Sequence, residues 1–430
     1  MPRRRRHAPR IPRVNAELRE QETVKPLELF FDLVFVLAFT QCSALMVGQP
    51  TWQGLGRGVL VLAVLWWAWA AYAWLTSVVE PEEGAVRIVM FVAMASLLVC
   101  GLCVPEVFGD RGLTFAIAYA IVRAAHIALF MIASRDDPAL RSSVRSFGTS
   151  TALAVATLIA ASFFEGSAQM LMWLAVVAID TIGAQFRGGG WRLVPSHFAE
   201  RHNLIIILAL GESVIALGFG ATVDLTAAVL TVAVLGMALV CALWWIYFDV
   251  VAIVTRQRLE RATPGVEQNR LARDCYTYIH FALVGGIVVA AVGLEATIAH
   301  NDEPLHAEQG FALLGGIALY LLGHVALRLR SSHSWNWQRL ALAIVFLACI
   351  PLSTKIDSIV TLTGAVIALW LMIAYETHRY GELRYPLRHN QHPEPGAPIG
   401  AERFRQPEDA ESSPDEAGLV GGHGLDPPTA

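Results

Sequence analysis

Pro26-Leu-Glu-Leu-Phe-Phe-Asp-Leu-Val-Phe-Val-Leu-Ala-Phe-Thr40 is the stretch that decides the fold, because it places two acids inside an otherwise apolar run. Glu28 and Asp32 are four residues apart, so on a helix they share one face, about 6 Å apart along the axis. A charged side chain at the centre of a bilayer costs about 2.5–3.5 kcal/mol or more, so it usually faces a bundle interior or water. The stretch therefore predicts a membrane helix whose acidic face is turned toward other helices.

The composition of the whole chain agrees with a membrane protein. Of its 430 residues, 55% are hydrophobic and 16% are charged, whereas a soluble protein carries about 25% charged residues. The charges lie in short breaks between long apolar runs, so the formal net charge of -4 carries little information. Residues 1–26 hold basic residues but no apolar segment typical of a cleavable signal peptide. The tail after residue 390 is rich in Pro, Gly and acids.

Twelve apolar runs are long enough to cross a bilayer. They lie at 27–47, 57–79, 86–104, 113–133, 147–164, 168–185, 203–220, 225–248, 276–299, 309–328, 338–355 and 358–377. If the N-terminus is cytoplasmic, the loops on the opposite side contain only Arg57, Arg111 and Lys355 of the 32 Lys and Arg residues, and Arg123 lies within a span. The positive-inside rule therefore predicts that both termini are cytoplasmic, in the bacterial cytoplasmic membrane.

The two halves of the chain resemble each other. Residues 65–69 (Leu-Trp-Trp-Ala-Trp) match 243–247 (Leu-Trp-Trp-Ile-Tyr), His126 matches His324, Glu28 matches Glu200, and Thr40-Gln41 falls on Glu212-Ser213. We therefore predict an all-α polytopic integral membrane protein with about 12 transmembrane helices in two parallel six-helix repeats. The alternative is a plain bundle. The predicted division is a basic tail (1–26), a first repeat (27–185), a connector (186–202), a second repeat (203–377) and a C-terminal tail (378–430).

The polar residues inside the spans are candidates for a transport pathway. Arg123 and Glu212 have opposite charge at similar depth, so we expect them to pair, directly or through a bound solute, either for function or only to neutralise each other. Glu28 fits a helix-start role near the positive end of the macrodipole. Asp32 lies one turn deeper, which favours a functional role with Glu212 and Arg123 as partners. The full candidate set is Asp32, Glu28, Thr40, Gln41, Arg123, His126, Glu200, His202, Glu212, Ser213, Asp249, His280 and His324.

The histidines and cysteines of the spans allow more than one interpretation. His126, His280 and His324 could relay protons, or they could be hydrogen-bonded core residues. Cys100 and Cys103 have redox-motif spacing, but inside an apolar helix we expect packing residues. No Cys/His group has metal-ligand spacing elsewhere in the sequence, so we expect neither a metal nor another cofactor.

Two stretches carry a family resemblance. Residues 26–41 (PLELFFDLVFVLAFTQ) and 198–214 (FAERHNLIIILALGESV) resemble the signature stretches of the bacterial low-temperature-requirement A family, over about residues 24–380. The resemblance implies an integral membrane protein connected with growth in the cold and supplies no substrate. Phe30, Asp32, Val34, Phe35 and Thr40 are also similar to the pattern that opens each repeat of the endolysosomal potassium channel family, but the second half of this chain lacks the Asp.

Three functions follow from these features. We expect first a transporter or ion-conducting protein, with a polar cavity lined by spans one, four, seven and ten and proton coupling through Asp32 and Glu212. The alternatives are a membrane-embedded enzyme acting on a lipid or isoprenoid, and a sensory or structural membrane protein. The expected partners are membrane lipids and an ion or small solute, with no nucleic acid.

Overall fold

The computed structural model describes residues 23–82, 84–185, 191–220 and 225–380. These residues form twelve long helices and no β-strand. The helices are α1 (Pro26–Gly48), α2 (Trp52–Thr76), α3 (Gly84–Cys103), α4 (Gly112–Ala133), α5 (Pro138–Ala161), α6 (Gly166–Gln185), α7 (Pro195–Gly220), α8 (Ala227–Arg261), α9 (Val266–Ala299), α10 (Ala307–Ser332), α11 (Trp337–Ser353) and α12 (Ser358–Arg379).

The predicted all-α polytopic membrane fold is confirmed. Eleven of the described helices are long and apolar enough to cross a membrane, and α11 is an apolar helix of 17 residues. Each of the twelve predicted spans coincides with one helix. The predicted terminal tails fall mostly on residues 1–22 and 381–430, which lie outside the described residues.

The start of α7 differs from its prediction in a way that matters for the site. The helix begins at Pro195, eight residues before the predicted boundary at 203, and it takes up half of the predicted connector 186–202. Its first turns contain polar residues, which lower the local hydropathy although most of their side chains are buried. Arg201 and His202 are therefore buried inside the helix bundle.

The contacts between helices repeat in the two halves. In the first half α3 packs on α1 and α4, and α4 packs on α5; in the second half α9 packs on α7 and α10, and α10 packs on α11. Thr40 and Glu212, which the sequence comparison matched, hydrogen-bond to each other, as residues on a twofold axis do. These contacts agree with a duplication, but the repeat stays a prediction.

The interface between the halves is formed chiefly by α1 and α2 against α7 and α9. This differs from the predicted lining by spans one, four, seven and ten, since α4 packs mainly on α2, α3 and α5. The most buried helix is α2. Its tryptophans serve helix packing: Trp66 and Trp69 are fully buried, and Trp66 Nε1 donates to the Thr277 carbonyl of α9 at 2.8 Å.

Glycines allow close contact between α9 and α10. A Cβ atom added at Gly286 would lie 2.7 Å from the Tyr320 backbone nitrogen and 2.8 Å from the Gly316 carbonyl oxygen. Real Cβ atoms do not approach backbone so closely, so the helices could not keep this separation with a larger residue. Neighbouring Gly285 faces open space.

Candidate functional site

A buried charge cluster joins the beginnings of α1 and α7. The guanidinium of Arg201 lies 2.9 Å from Glu28 Oε1 through Nη1 and 2.6 Å from Asp32 Oδ1 through Nη2. All three side chains have no exposed surface. The spacing of four between the acids puts both on the α1 face that contacts α7, as the sequence predicts. We call Glu28, Asp32 and Arg201 the α1–α7 cluster.

Further hydrogen bonds complete the α1–α7 cluster. Glu28 Oε2 lies 3.0 Å from His197 Nε2 and accepts a hydrogen bond from the Lys25 backbone N–H at 2.9 Å. Trp69 Nε1 donates to Asp32 Oδ1 at 2.8 Å, and Arg201 donates to the Thr76 hydroxyl at 2.9 Å. The predicted helix-start role of Glu28 is thus present, but Glu28 is also an ion-pair partner.

The α1–α7 cluster brings several ionisable groups together. It contains two carboxylates and one guanidinium, with a histidine whose charge depends on its protonation. Asp32 Oδ2 has no hydrogen-bond partner among the described residues, although it is buried. A buried net charge is costly unless it is compensated. Asp32 Oδ2 is therefore the atom of the cluster that a proton or a small cation could contact.

A second polar contact lies farther along the same two helices. The Thr40 hydroxyl donates to Glu212 Oε2 at 2.6 Å, and Glu212 is 1% exposed. Thr40 is eight residues beyond Asp32, which corresponds to about 12 Å along α1. Phe35, Phe39 and other fully buried apolar residues occupy the level between the two contacts. The interface thus holds an acid on each side of an apolar layer.

A row of aromatic and imidazole rings leads from the α1–α7 cluster into the second half. The His202 ring centroid lies 4.9 Å from that of Trp69 and 5.4 Å from that of His280. His280 Nε2 is 2.8 Å from the Tyr247 hydroxyl, which also bonds to Asn203. These contacts place two predicted histidines beside the cluster. They agree with hydrogen-bonded core residues as well as with a relay.

Arg123 belongs to a different ion pair. Its Nη2 lies 2.9 Å from Asp180 Oδ1, and it also donates to Tyr119 at 3.0 Å and to Thr151 at 2.9 Å. The predicted pair of Arg123 with Glu212 is wrong, and so is the assignment of both as partners of Asp32. The prediction used only the similar depth of the two residues in the membrane. That depth does not show that Arg123 faces α5 and α6, whereas Glu212 faces α1.

The other predicted residues are spread over the bundle. His126 Nε2 bonds to the Ala71 carbonyl at 3.0 Å, so His126 is a hydrogen-bonded core residue. His324 is buried beside a cavity between α8, α10, α11 and α12. Glu200, Gln41 and Asp249 are half-buried, and Ser213 is buried. None of these six forms a hydrogen bond or ion pair with the α1–α7 cluster in the described contacts.

Sequence reasoning gave no role to His197, Trp69, Asp180 or Arg201. The sequence did contain a signal for the role of Arg201. The first turns of α1 carry the acids Glu28 and Asp32, and the first turns of α7 carry the basic residue Arg201, so an ion pair between the two helices could have been predicted. No group of three or more His, Cys, Asp or Glu in the described part of the chain could hold a metal ion. The cysteines described are unpaired.

The chain is similar to known bacterial proteins over most of its length. The family model described as Bacterial low temperature requirement A protein matches residues 23–374. An uncharacterized protein of Rhizobium meliloti (strain 1021) is 28% identical over 367 residues, which cover 81% of this chain and 88% of that protein. No solved structure matches the chain significantly. Both stretches that carried the resemblance lie inside the matched region, and so does the α1–α7 cluster.

Proposed function

The chain belongs to the bacterial low temperature requirement A family, and we propose that it is a transporter or ion-conducting protein that binds a proton or a monovalent cation at Asp32. The observation that carries the proposal is the buried Oδ2 of Asp32, which has no hydrogen-bond partner among the described residues, although Arg201 and Trp69 hold Oδ1. A cation bound there gives that oxygen a partner.

The contrast with the second buried ion pair supports this proposal. Arg123 and Asp180 balance one charge with one charge, and hydroxyl groups of Tyr119 and Thr151 satisfy the guanidinium further. Such a pair neutralises two charges without a need for a ligand. The α1–α7 cluster lies at the interface between halves and leaves Asp32 Oδ2 without a hydrogen-bond partner among the described residues. The first arrangement suits a structural role and the second suits a binding site.

The path of the cation follows the α1–α7 interface. With both termini in the cytoplasm, as the positive-inside rule indicates, the α1–α7 cluster lies in the cytoplasmic half of the bundle and Glu212 lies in the outer half. The apolar layer around Phe35 and Phe39 separates the two acids. Movement of α1 against α7 would expose the acids in turn to opposite sides, which is the alternating access expected of a repeat-built transporter.

The proposal is tested by flux into liposomes that contain the purified protein and a dye for protons, sodium or potassium. Wild-type protein carries one of these cations, and Asp32→Asn lowers its flux about tenfold or more, because loss of a charged contact changes binding by about 1.5–3 kcal/mol. Glu212→Gln is expected to act in the same direction. Glu106→Gln is the matched control, since Glu106 is exposed in the short 3₁₀ helix that follows α3.

Two outcomes would count against the proposal. Unchanged flux in a folded Asp32→Asn variant would remove the cluster from the path. Absence of all cation flux in wild type, with turnover of a lipid or isoprenoid instead, would favour the enzyme alternative. Growth of a deletion strain at low temperature, complemented with wild type or Asp32→Asn, tests the proposed connection between flux and growth in the cold.

A further inference from the structure

Most side-chain oxygens in and around the α1–α7 cluster already accept hydrogen bonds. Asp32 Oδ1 accepts from Arg201 at 2.6 Å and from Trp69 at 2.8 Å. Both carboxylate oxygens of Glu28 accept hydrogen bonds as well, and the Thr76 hydroxyl accepts one from Arg201 at 2.9 Å. Asp32 Oδ2 is the oxygen of the cluster for which the described residues supply no partner.

This arrangement suits a proton better than a metal cation. An alkali cation that leaves water needs several oxygen ligands to replace its hydration shell, as the carbonyl rings of potassium channels show. The guanidinium of Arg201, 2.6 Å from Asp32 Oδ1, also repels a second cation on the same carboxylate. A proton needs only one lone pair, and it makes the carboxyl group neutral, which removes the cost of a buried charge.

His202 is a second buried group of this interface that has a vacant lone pair. Its Nδ1 lies 2.8 Å from the Phe198 carbonyl oxygen, which can only accept, so Nδ1 carries the hydrogen of the neutral ring. Nε2 therefore carries the lone pair, and it is buried without a hydrogen-bond partner among the described residues. The neighbouring His280 differs, because the Tyr247 hydroxyl lies 2.8 Å from its Nε2.

The indole of Trp69 connects His202 with Asp32. Its Nε1 donates to Asp32 Oδ1, and its ring packs edge-on against the His202 ring, with the two centroids 4.9 Å apart. His202 also directly follows Arg201 on α7. Both vacant lone pairs thus belong to residues that contact the same buried side chain.

We propose that the cation bound at Asp32 is a proton and that His202 passes it to Asp32 Oδ2 through a water molecule. This inference rests on the proposed function, whose cation it identifies. The Nε2 lone pair of His202 takes a proton from water and forms an imidazolium, which releases the proton to Oδ2 and returns to neutral imidazole. The proton remains on Asp32, because a protonated carboxyl group is uncharged whereas a buried imidazolium is not.

The first part of the test measures flux into liposomes that contain the full chain. Wild type should carry protons and neither sodium nor potassium. His202→Gln removes the lone pair and should lower proton flux at least about tenfold, since a positioned acid or base speeds proton transfer by about 10²–10⁴-fold. His126→Gln is the matched control, because His126 bonds to the Ala71 carbonyl and lies outside the α1–α7 interface.

The second part uses infrared spectroscopy, which detects a bound proton without any flux. In acidic buffer, wild type should show a carboxyl C=O band that shifts in heavy water and that is absent from Asp32→Asn. In His202→Gln the same band should be present, but its shift after transfer to heavy water should develop about tenfold more slowly than in wild type or His126→Gln. A purely structural role of His202 would leave this rate unchanged.

The outcomes separate this inference from the proposed function. Sodium or potassium flux that Asp32→Asn abolishes would overturn the inference and leave the proposed function intact, and this measurement does not depend on folding of His202→Gln. Absence of the Asp32 band, or wild-type flux and exchange in folded His202→Gln, would also overturn it. Absence of all cation flux with the Asp32 band present would support proton binding and refute the proposed function.

Discussion

Arg201→Met is the substitution that tests the α1–α7 cluster most directly. Methionine keeps an apolar stem of similar length but removes the guanidinium that contacts Glu28 at 2.9 Å and Asp32 at 2.6 Å. Two unit charges about 4 Å apart attract by about 4 kcal/mol at an effective dielectric constant of 20. Proton uptake by one carboxyl group offsets part of the two lost attractions. The net destabilisation expected from breaking such a buried pair is about 3–5 kcal/mol.

The free energy of unfolding in detergent micelles measures this effect. A loss of 3–5 kcal/mol lowers the folding equilibrium constant by about two to four powers of ten. The variant Glu28→Gln/Asp32→Asn/Arg201→Met should recover most of the stability, because it leaves no buried charge without a partner. It should carry no cation flux. Wild-type stability of Arg201→Met, or a triple variant as unstable as the single one, would refute the reasoning.

Three further predictions concern packing and hydrogen bonds, each measured by thermal or denaturant unfolding. Gly286→Ala should destabilise by about 1–3 kcal/mol through overpacking, whereas Gly285→Ala should be neutral or stabilise by up to about 1 kcal/mol; equal effects would contradict the close contact of α9 and α10. Tyr247→Phe should cost about 1–3 kcal/mol, because an imidazole and an amide lose a buried partner, and a neutral result would show that they find another. Arg339→Gln, Glu376→Gln and their double variant should show a coupling energy of about 0.5–3 kcal/mol, and strict additivity would speak against the bidentate pair.

The helices could be predicted from the sequence because hydropathy reports directly on what each segment contacts. A run of apolar residues is stable in lipid only as a helix, since all backbone groups must be bonded internally. The same logic failed at the beginning of α7, where buried polar residues such as Arg201 and His202 look like a loop. Their burial depends on partners from α1 and α2, and hydropathy does not contain that information.

The proximity of charged residues could be predicted only where both residues lie on the same helix. Glu28 and Asp32 share a face because they share a helix, so their proximity followed from the spacing. Arg123 could have paired with any acid at its depth, and the choice of Asp180 over Glu212 depends on which helices are neighbours. Neighbour order in a helical membrane protein is set by the packing of whole surfaces, which one sequence does not show.

The depth of Asp32 in the bundle would make the proposed cation binding sensitive to the membrane potential. Asp32 is six residues beyond the beginning of α1, which corresponds to about 9 Å, or about a third of the hydrocarbon thickness of a bilayer. One elementary charge moved across the whole membrane changes the free energy by about 2.3 kcal/mol per 100 mV. A cation that enters from the cytoplasm and stops at Asp32 therefore works against about 0.7 kcal/mol per 100 mV, which changes its occupancy about threefold.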